Sequence, residues 1–320
     1  MDIFRRLPPA DQRADCALTI GNYDGVHRGH QAVLARLVEQ ARSRGLASCV
    51  LTFEPHPREF FAARHGGEPP ARILTERDKL EALAGCGIDR VCIARFDEAL
   101  AGLSPQAFID EVITEGLRTR FLLIGDDFRF GAKRAGDVHT LAAAATDAGF
   151  ELEQLGSVIA DGERISSSAV RAALAAGDFE RTGQLLGRPY RISGRVAHGR
   201  KLGRNLGFPT LNLPIPFPRP ALAGVFVVRV HGLGPGALPG VASLGTRPAV
   251  ETDGKPVLEV HLLDFDRDVY GELVGVEFCH KLRDEANFDS LDALAVQIGA
   301  DVRQARDWHA RHPAADAAGR

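Results

Sequence analysis

Apolar and polar positions follow two different rhythms along this chain. From residue 16 to about residue 155, short apolar runs ("CALTIG", "ASCVLTF", "RVCIARF", "FLLIGDD" and "ELEQLGSV") alternate with stretches of helical spacing. Those stretches are residues 29–44, "TERDKLEALAGCG", "SPQAFIDEVITEGL" and "DVHTLAAAATDAG". Thr75 with Asp78, and Ser104 followed by Pro105, are helix-start signals: a side-chain oxygen accepts a free N–H, and proline fits the first turn. One more helix is predicted from Ser166–Ser168 to about Leu186. Strands alternating with helices of this length predict an α/β, doubly wound parallel sheet covered on both faces.

After "GRPYRISG" the helices drop out. The runs "RISGRVAHG", "GVFVVRVHG", "GVASLG", "VLEVHLLDF" and "GELVGVEFCHKL" follow one another, punctuated by the Gly- and Pro-rich "LPIPFPRPALAG" and "GLGPGALPG". That pattern predicts a small antiparallel barrel or sandwich. A closing helix is predicted from Ser290, in "SLDALAVQIGADVRQARDWHAR", and the tail "HPAADAAGR" is expected to fray. The rhythm changes near residues 186–189, and no internal repeat is visible.

Composition narrows the function. The chain has 320 residues, 45% hydrophobic and 25% charged, with a net charge of -3, which gives no electrostatic reason to expect nucleic acid as a partner. No run reaches the ~20 apolar residues of a membrane span. The start "MDIFRRLPPADQRAD" is broken by prolines and charges, unlike a signal peptide. Cys16, Cys49, Cys86, Cys92 and Cys279 are odd in number and form no C-x-x-C, so reduced thiols in a cytoplasmic protein are expected.

The chemistry concentrates in "GNYDGVHRGH", residues 21–30, where a strand-like run meets a helical pattern. In an open parallel sheet, ligands bind beyond the carboxyl ends of the strands. Gly21, Gly25 and Gly29 let the backbone approach a ligand closely, and a helix start presents free N–H groups to an anion. His27 and His30 add donors that can be charged near neutral pH, a combination suited to a triphosphate. Two other readings stay open on the residues alone. Zinc would need a third ligand, for which His56 is the candidate, and both histidines could simply decorate a turn.

This stretch resembles the G-x-F-D-G-V-H-x-G-H signature of prokaryotic bifunctional riboflavin kinase/FAD synthetases, within the Rossmann-like nucleotidylyltransferases. "TFEPHPREFF" (52–61), "GDDFRFGAKRAGD" (125–137) and "ISSSAVR" (165–171) resemble that family's next signatures, in order. "GRVAHGRKLGRNLGFPTLNL" (194–213), "GVASLGTRP" (240–248), "LEVHLLDF" through "DVYGE" (258–272) and "KLRDEANFDSLDALAVQI" (281–298) resemble its kinase module. The resemblance spans residues 16–308. It implies an FMN adenylyltransferase domain over 1–186, a riboflavin kinase β-barrel with a C-terminal helix over 187–310, and a disordered tail over 311–320.

For the first module, the resemblance implies transfer of AMP from ATP to FMN, giving FAD and pyrophosphate. The nucleophile is a phosphate monoester, largely ionised at neutral pH because its second pKa is about 6, so no general base is required. His27 and His30 would hold the ATP phosphates. Ser167, Ser168 and Arg171 would form a second phosphate grip, although a serine N-cap is the plainer reading of "ISSSAVR". Asp127 would face flavin or nucleotide, or else be a turn carboxylate, and His56 would line a flavin pocket. Ser168 stands where the family usually has threonine, and Tyr23 where it has phenylalanine.

For the second module, the resemblance implies phosphorylation of riboflavin by ATP, giving FMN and ADP. The attacking alcohol must lose a proton, and Glu259 matches the family's base. By alternation Glu259 shares a face with Val257, His261 and Leu263. Thr210 and Asn212 match the residues that engage Mg2+ and ATP, and both offer hard oxygen atoms. Gly199, Gly203 and Gly207 space a loop that could fold over phosphates, with Arg200, Lys201 and Arg204 as cations; it is not a Walker A loop. Ala249 replaces a common threonine. FMN and FAD are thus expected as substrate and product, not as prosthetic groups. Two alternatives are a chain keeping one of the two activities and a flavin-binding regulatory protein.

Overall fold

A computed structural model of the chain describes residues 1–156, 159–160, 163–199, 206–245 and 256–313. Arg200, Lys201, Gly203, Arg204, Ala249 and the tail from residue 314 lie outside the described residues. By compactness the chain divides into two units, residues 1–70 with 79–166, and residues 71–78 with 167–320.

The first unit is the expected parallel sheet. Its strands are β1 (Asp2–Phe4), β2 (Cys16–Ile20), β3 (Ala47–Glu54), β4 (Arg90–Arg95), β5 (Thr119–Gly125) and β6 (Glu151–Leu155), and every neighbouring pair is parallel. The order is β1-β4-β3-β2-β5-β6. From β2 the chain therefore winds outward one way through β3 and β4, then returns to the other side of β2 with β5 and β6. The reversal lies between β2 and β5, where an open sheet leaves a crevice at its carboxyl edge. All five residues of β2 are buried, as its central place demands.

Between these strands run α1 (Arg28–Arg44), α2 (Pro57–His65), α3 (Glu76–Gly85), α4 (Glu98–Gly102), α5 (Pro105–Ala107) and α6 (Val138–Ala148). Leu34, Leu37 and Ala41 bury one stripe of α1, and Gly45, at φ 65°, closes it by donating to Ala41 and Arg42. The expected start signals hold: Thr75 Oγ1 accepts from the Asp78 N–H at 3.1 Å, and Ser104 Oγ from Ala107 at 3.1 Å. After α5 the backbone continues as a π-helical stretch, Phe108–Gly116. Periodicity did not reveal β1, α2 or the small hairpin of β7 (Ile159–Ala160) and β8 (Glu163–Arg164), which are too short to carry a period.

In the second unit, the single helix expected up to Leu186 is two: α7 (Ser167–Ala176) and α8 (Phe179–Leu186). Gly177 adopts φ 73° and ends the first, and the Asp178 carboxylate caps the second by accepting from the Arg181 N–H at 2.9 Å. Then come β9 (Arg191–Arg195), β10 (Leu211–Pro214), β11 (Gly224–His231), β12 (Leu238–Leu244), β13 (Val257–Leu262) and β14 (Leu273–Arg283), all paired antiparallel in the order β10-β13-β12-β11-β14-β9. The two ends meet where the Ala197 N–H donates to the Asn212 carbonyl at 2.8 Å. That bridge makes the unit a near-closed barrel, not a sandwich, and leaves little sheet edge unpaired.

Leu213, Phe226, Val228, Leu258 and Val260 fill the interior. On the outside, Val225, Val227 and Val241 are covered by Ala305 of α9 (Leu291–Arg311), which Ser290 caps as expected. Glu277 of β14 lies on three-strand register between Arg191 and Arg229 and bonds to His231 Nε2 at 3.0 Å. The hydrogen bond from His231, then the two guanidinium charges, hold its carboxyl below its ordinary value of 4.5.

A depressed carboxylate stabilises the fold fully above its unfolded value and loses that contribution as pH falls through its folded value. Glu277→Gln is therefore expected to lower stability by about 1–3 kcal/mol at neutral pH, with the gap from the parent chain closing in acid. Urea denaturation at about pH 7 and about pH 3 checks both parts, and a constant gap would contradict the assignment.

Candidate active sites

The first site is built on the passage from β2 into α1, at the carboxyl edge of the sheet. The turn is tight: Tyr23, Gly25 and Val26 have φ of 49°, 97° and 41°. Such values strain a β-branched residue, and the loop holds them with local bonds. The Val26 N–H donates to the Tyr23 carbonyl at 3.2 Å, and Gln31 Nε2 donates to the Val26 carbonyl at 2.9 Å. Tyr23 is buried, its hydroxyl sits 2.8 Å from Thr19 Oγ1, and burial pushes its phenol well above the usual range. Its ring rests against His30 at 4.9 Å between centroids.

His27 is the N-cap of α1. Its Nδ1 accepts the His30 N–H at 3.2 Å, so in the neutral ring the proton sits on Nε2. The two imidazoles stack face to face, with centroids 3.6 Å apart and planes 16° apart. Gly29 keeps the space between them tight: a Cβ there would lie 3.1 Å from His27 Nδ1 and 3.1 Å from the Ile165 carbonyl oxygen. A Cβ on Gly21 would lie 3.0 Å from the Tyr23 ring. The structure thus brings His27 and His30 together at a helix start with Gly25 and Gly29 in the adjoining turn, an arrangement suited to oxyanions, while the Gly21 N–H is taken by the Leu51 carbonyl at 3.0 Å.

The other expected residues of this half are placed as follows. His56 is buried and caps α2, with Nδ1 accepting from the Arg58 N–H at 3.0 Å and Glu59 bonding back to the His56 N–H at 3.2 Å. Among the described residues, no three His, Cys, Asp or Glu side chains are arranged to hold a metal ion, so His56 does not complete a zinc set with the histidine pair. Asp127 stands in the turn after β5, exposed, and accepts from Arg164 Nη2 at 2.7 Å. Ser167, Ser168 and Arg171 occupy the first turns of α7, and Arg171 Nε donates to the Ala71 carbonyl at 2.6 Å. Sequence reasoning overlooked Lys79, buried with its Nζ 3.3 Å from Thr52 Oγ1 and 3.5 Å from the Asn22 carbonyl. A lysine inside an amphipathic helix gives no signal of burial.

The second site lies on the outer face of the barrel. Glu259 is exposed on β13, directly opposite Asn212 on one neighbouring strand and Ser243 on the other. Paired positions share a face, so these three form one cross-strand row. Leu258, Val260 and Leu262 are buried on the opposite face. Asn212 Nδ2 donates to the Thr210 carbonyl at 3.3 Å, turning its amide oxygen away. The Asn212 amide lies against Gly199, where a Cβ would be 2.4 Å from Asn212 Nδ2. Gly207 adopts φ 84°. Thr210 and Asn212 thus offer a hydroxyl and an amide oxygen, with a carboxylate across the strand, a donor set that fits a hard divalent cation shared with phosphates.

Comparisons with known proteins agree with this division. The FAD synthetase family profile matches residues 10–169, and the riboflavin kinase profile matches residues 186–309. The chain is 50% identical over 291 residues to the bifunctional riboflavin kinase/FMN adenylyltransferase of Pseudomonas fluorescens, covering 91% of this chain and 92% of that protein. It is 47% identical over 293 residues to the protein of the same description from Escherichia coli K12, covering 92% of each. A crystal structure described as a macrolide-efflux protein from Streptococcus pneumoniae superposes with a TM-score of 0.74 at 28% identity, covering 96% of this chain and 98% of that one. Among the described residues here, no helix is long and apolar enough to cross a membrane. Two family profiles in tandem and relatives matched almost end to end mean that this chain belongs to the bifunctional riboflavin kinase/FMN adenylyltransferase family.

Proposed function

We propose that the two reactions of this family, riboflavin to FMN and FMN to FAD, run at the two sites described above, with residues 1–186 serving adenylyl transfer and residues 187–310 the kinase. The observation that carries the reading is the histidine pair at the β2–β5 reversal, held by a helix cap, on one unit, and the Glu259–Asn212 register on the other.

At the first site an FMN phosphate oxygen attacks the α-phosphorus of ATP. The bond to the β-phosphate oxygen breaks, and pyrophosphate leaves with the electron pair. No proton has to be removed from the nucleophile, so the protein's task is alignment and charge stabilisation. His27 Nε2–H and His30 donate to the phosphates, and Gly29 lets the backbone come close. Asp127 and His56 border the flavin.

At the second site the terminal ribityl hydroxyl attacks the γ-phosphorus. Glu259 accepts the hydroxyl proton as the O–P bond forms, and ADP leaves. Thr210 and Asn212 would hold Mg2+, which when bound with ATP neutralises phosphate charge. Gly199 and Gly207 flank the segment over the phosphates. We place the enzyme in the cytosol, which suits five unpaired cysteines of which Cys16, Cys49 and Cys92 are buried.

Purified chain incubated with riboflavin, ATP and magnesium is expected to yield FMN and then FAD by chromatography; neither product would overturn the reading. Glu259→Ala is expected to abolish FMN formation while sparing FAD formation from supplied FMN. His30→Ala is expected to slow FAD formation by ~100-fold or more, the scale for losing a preorganised charge-stabilising donor. Gly29→Ala is expected to cost FAD formation about tenfold or more, because the new methyl displaces His27 or the Ile165 carbonyl. Initial rates of both reactions on each variant check these outcomes, and FMN formation should hold steady in the last two.

A further inference from the structure

We infer that His261 is a positioning residue for the kinase reaction, tethering the segment that carries Thr210 to the strand that carries Glu259. The inference rests on the kinase assignment above. His261 lies two residues beyond Glu259 on β13, on the same outer face, paired with Val241 of β12. Val241 is covered by α9, whereas His261 turns toward the chain entering β10. Its Nδ1 is 2.9 Å from the Pro209 carbonyl oxygen, and its ring meets Phe208 edge-on, with centroids 5.5 Å apart and planes 86° apart. Phe208 in turn reaches α9, where a Cβ on Gly299 would lie 3.8 Å from its ring.

The chemistry of the contact is one-directional. A carbonyl oxygen can only accept, so Nδ1 carries the proton and donates. That proton is present in both the neutral and the charged ring, and Nε2 takes no part in the contact. The Pro209 carbonyl belongs to the peptide unit that leads directly into Thr210. Fixing that carbonyl fixes the plane from which the Thr210 side chain projects, beside Asn212, which β10–β13 register already holds. The tether adds a directional bond to the edge-on contact of Phe208 with the His261 ring. The expected loss is therefore in the grip on ATP relative to the base, not in the base itself.

Side-chain amides separate this role from its rivals. Asparagine places an N–H close to the position of Nδ1, while glutamine places one near Nε2. His261→Ala is expected to raise the KM for MgATP in FMN formation roughly tenfold, with a smaller fall in kcat and no change in FAD formation from supplied FMN. His261→Asn should restore most of the lost affinity, and His261→Gln should not. An unchanged KM in His261→Ala, or equal behaviour of the Asn and Gln variants, would overturn the inference. Should His261→Ala fail to fold, the Asn–Gln comparison decides on its own. Glu259→Ala, assayed in parallel, separates the two levels: if it still makes FMN at the parent rate, the kinase assignment fails as well as the tether.

Discussion

Everything at the first site depends on one hydrogen bond, from the His30 N–H to His27 Nδ1. Residues 21–27 must carry the chain from the carboxyl end of β2 into α1 through left-handed backbone at Tyr23, Gly25 and Val26. The cap ends that turn and starts the helix. The same bond decides the imidazole's tautomer, leaving Nε2–H as the donor, and holds its ring against that of His30. A single contact therefore both caps the helix and orients the ring, which makes a histidine at the cap position informative where serine or aspartate would be the ordinary choice.

The barrel solves a different problem. A carboxylate on a sheet face is positioned by its neighbours across the strands. Glu259 gets its geometry from β-register: Asn212 stands on one side and Ser243 on the other, and the Asn212 backbone also closes the barrel through Ala197.

Much of this was legible in the sequence. The parallel half follows from strands and helices alternating at regular length, and the Thr75, Ser104 and Ser290 helix starts follow from hydroxyl chemistry. Alternation alone placed Glu259 and His261 on one face of their strand. Other features left no local trace. The choice between barrel and sandwich turns on Ala197 meeting Asn212, a long-range pairing that no period reports. The break at Gly177 was hidden because apolar spacing continues across it. Arg164 beside Asp127, Lys79 beneath the β2 turn, and the His261–Pro209 contact all join residues far apart in the chain. His56 was legible as a rigid position between prolines, but its role as the cap of α2 required the helix to be seen first.

The central claim is that one polypeptide carries two complete and independent sites joined only by the intermediate they share. Mixing equal amounts of Glu259→Ala and His30→Ala chains with riboflavin and MgATP tests it directly. Each chain brings the site its partner lacks, so FAD should accumulate in the mixture well beyond the sum of the two variants assayed alone, after a lag in which free FMN builds up. A mixture that makes no more FAD than that sum, from chains that each retain their other activity, would contradict the account.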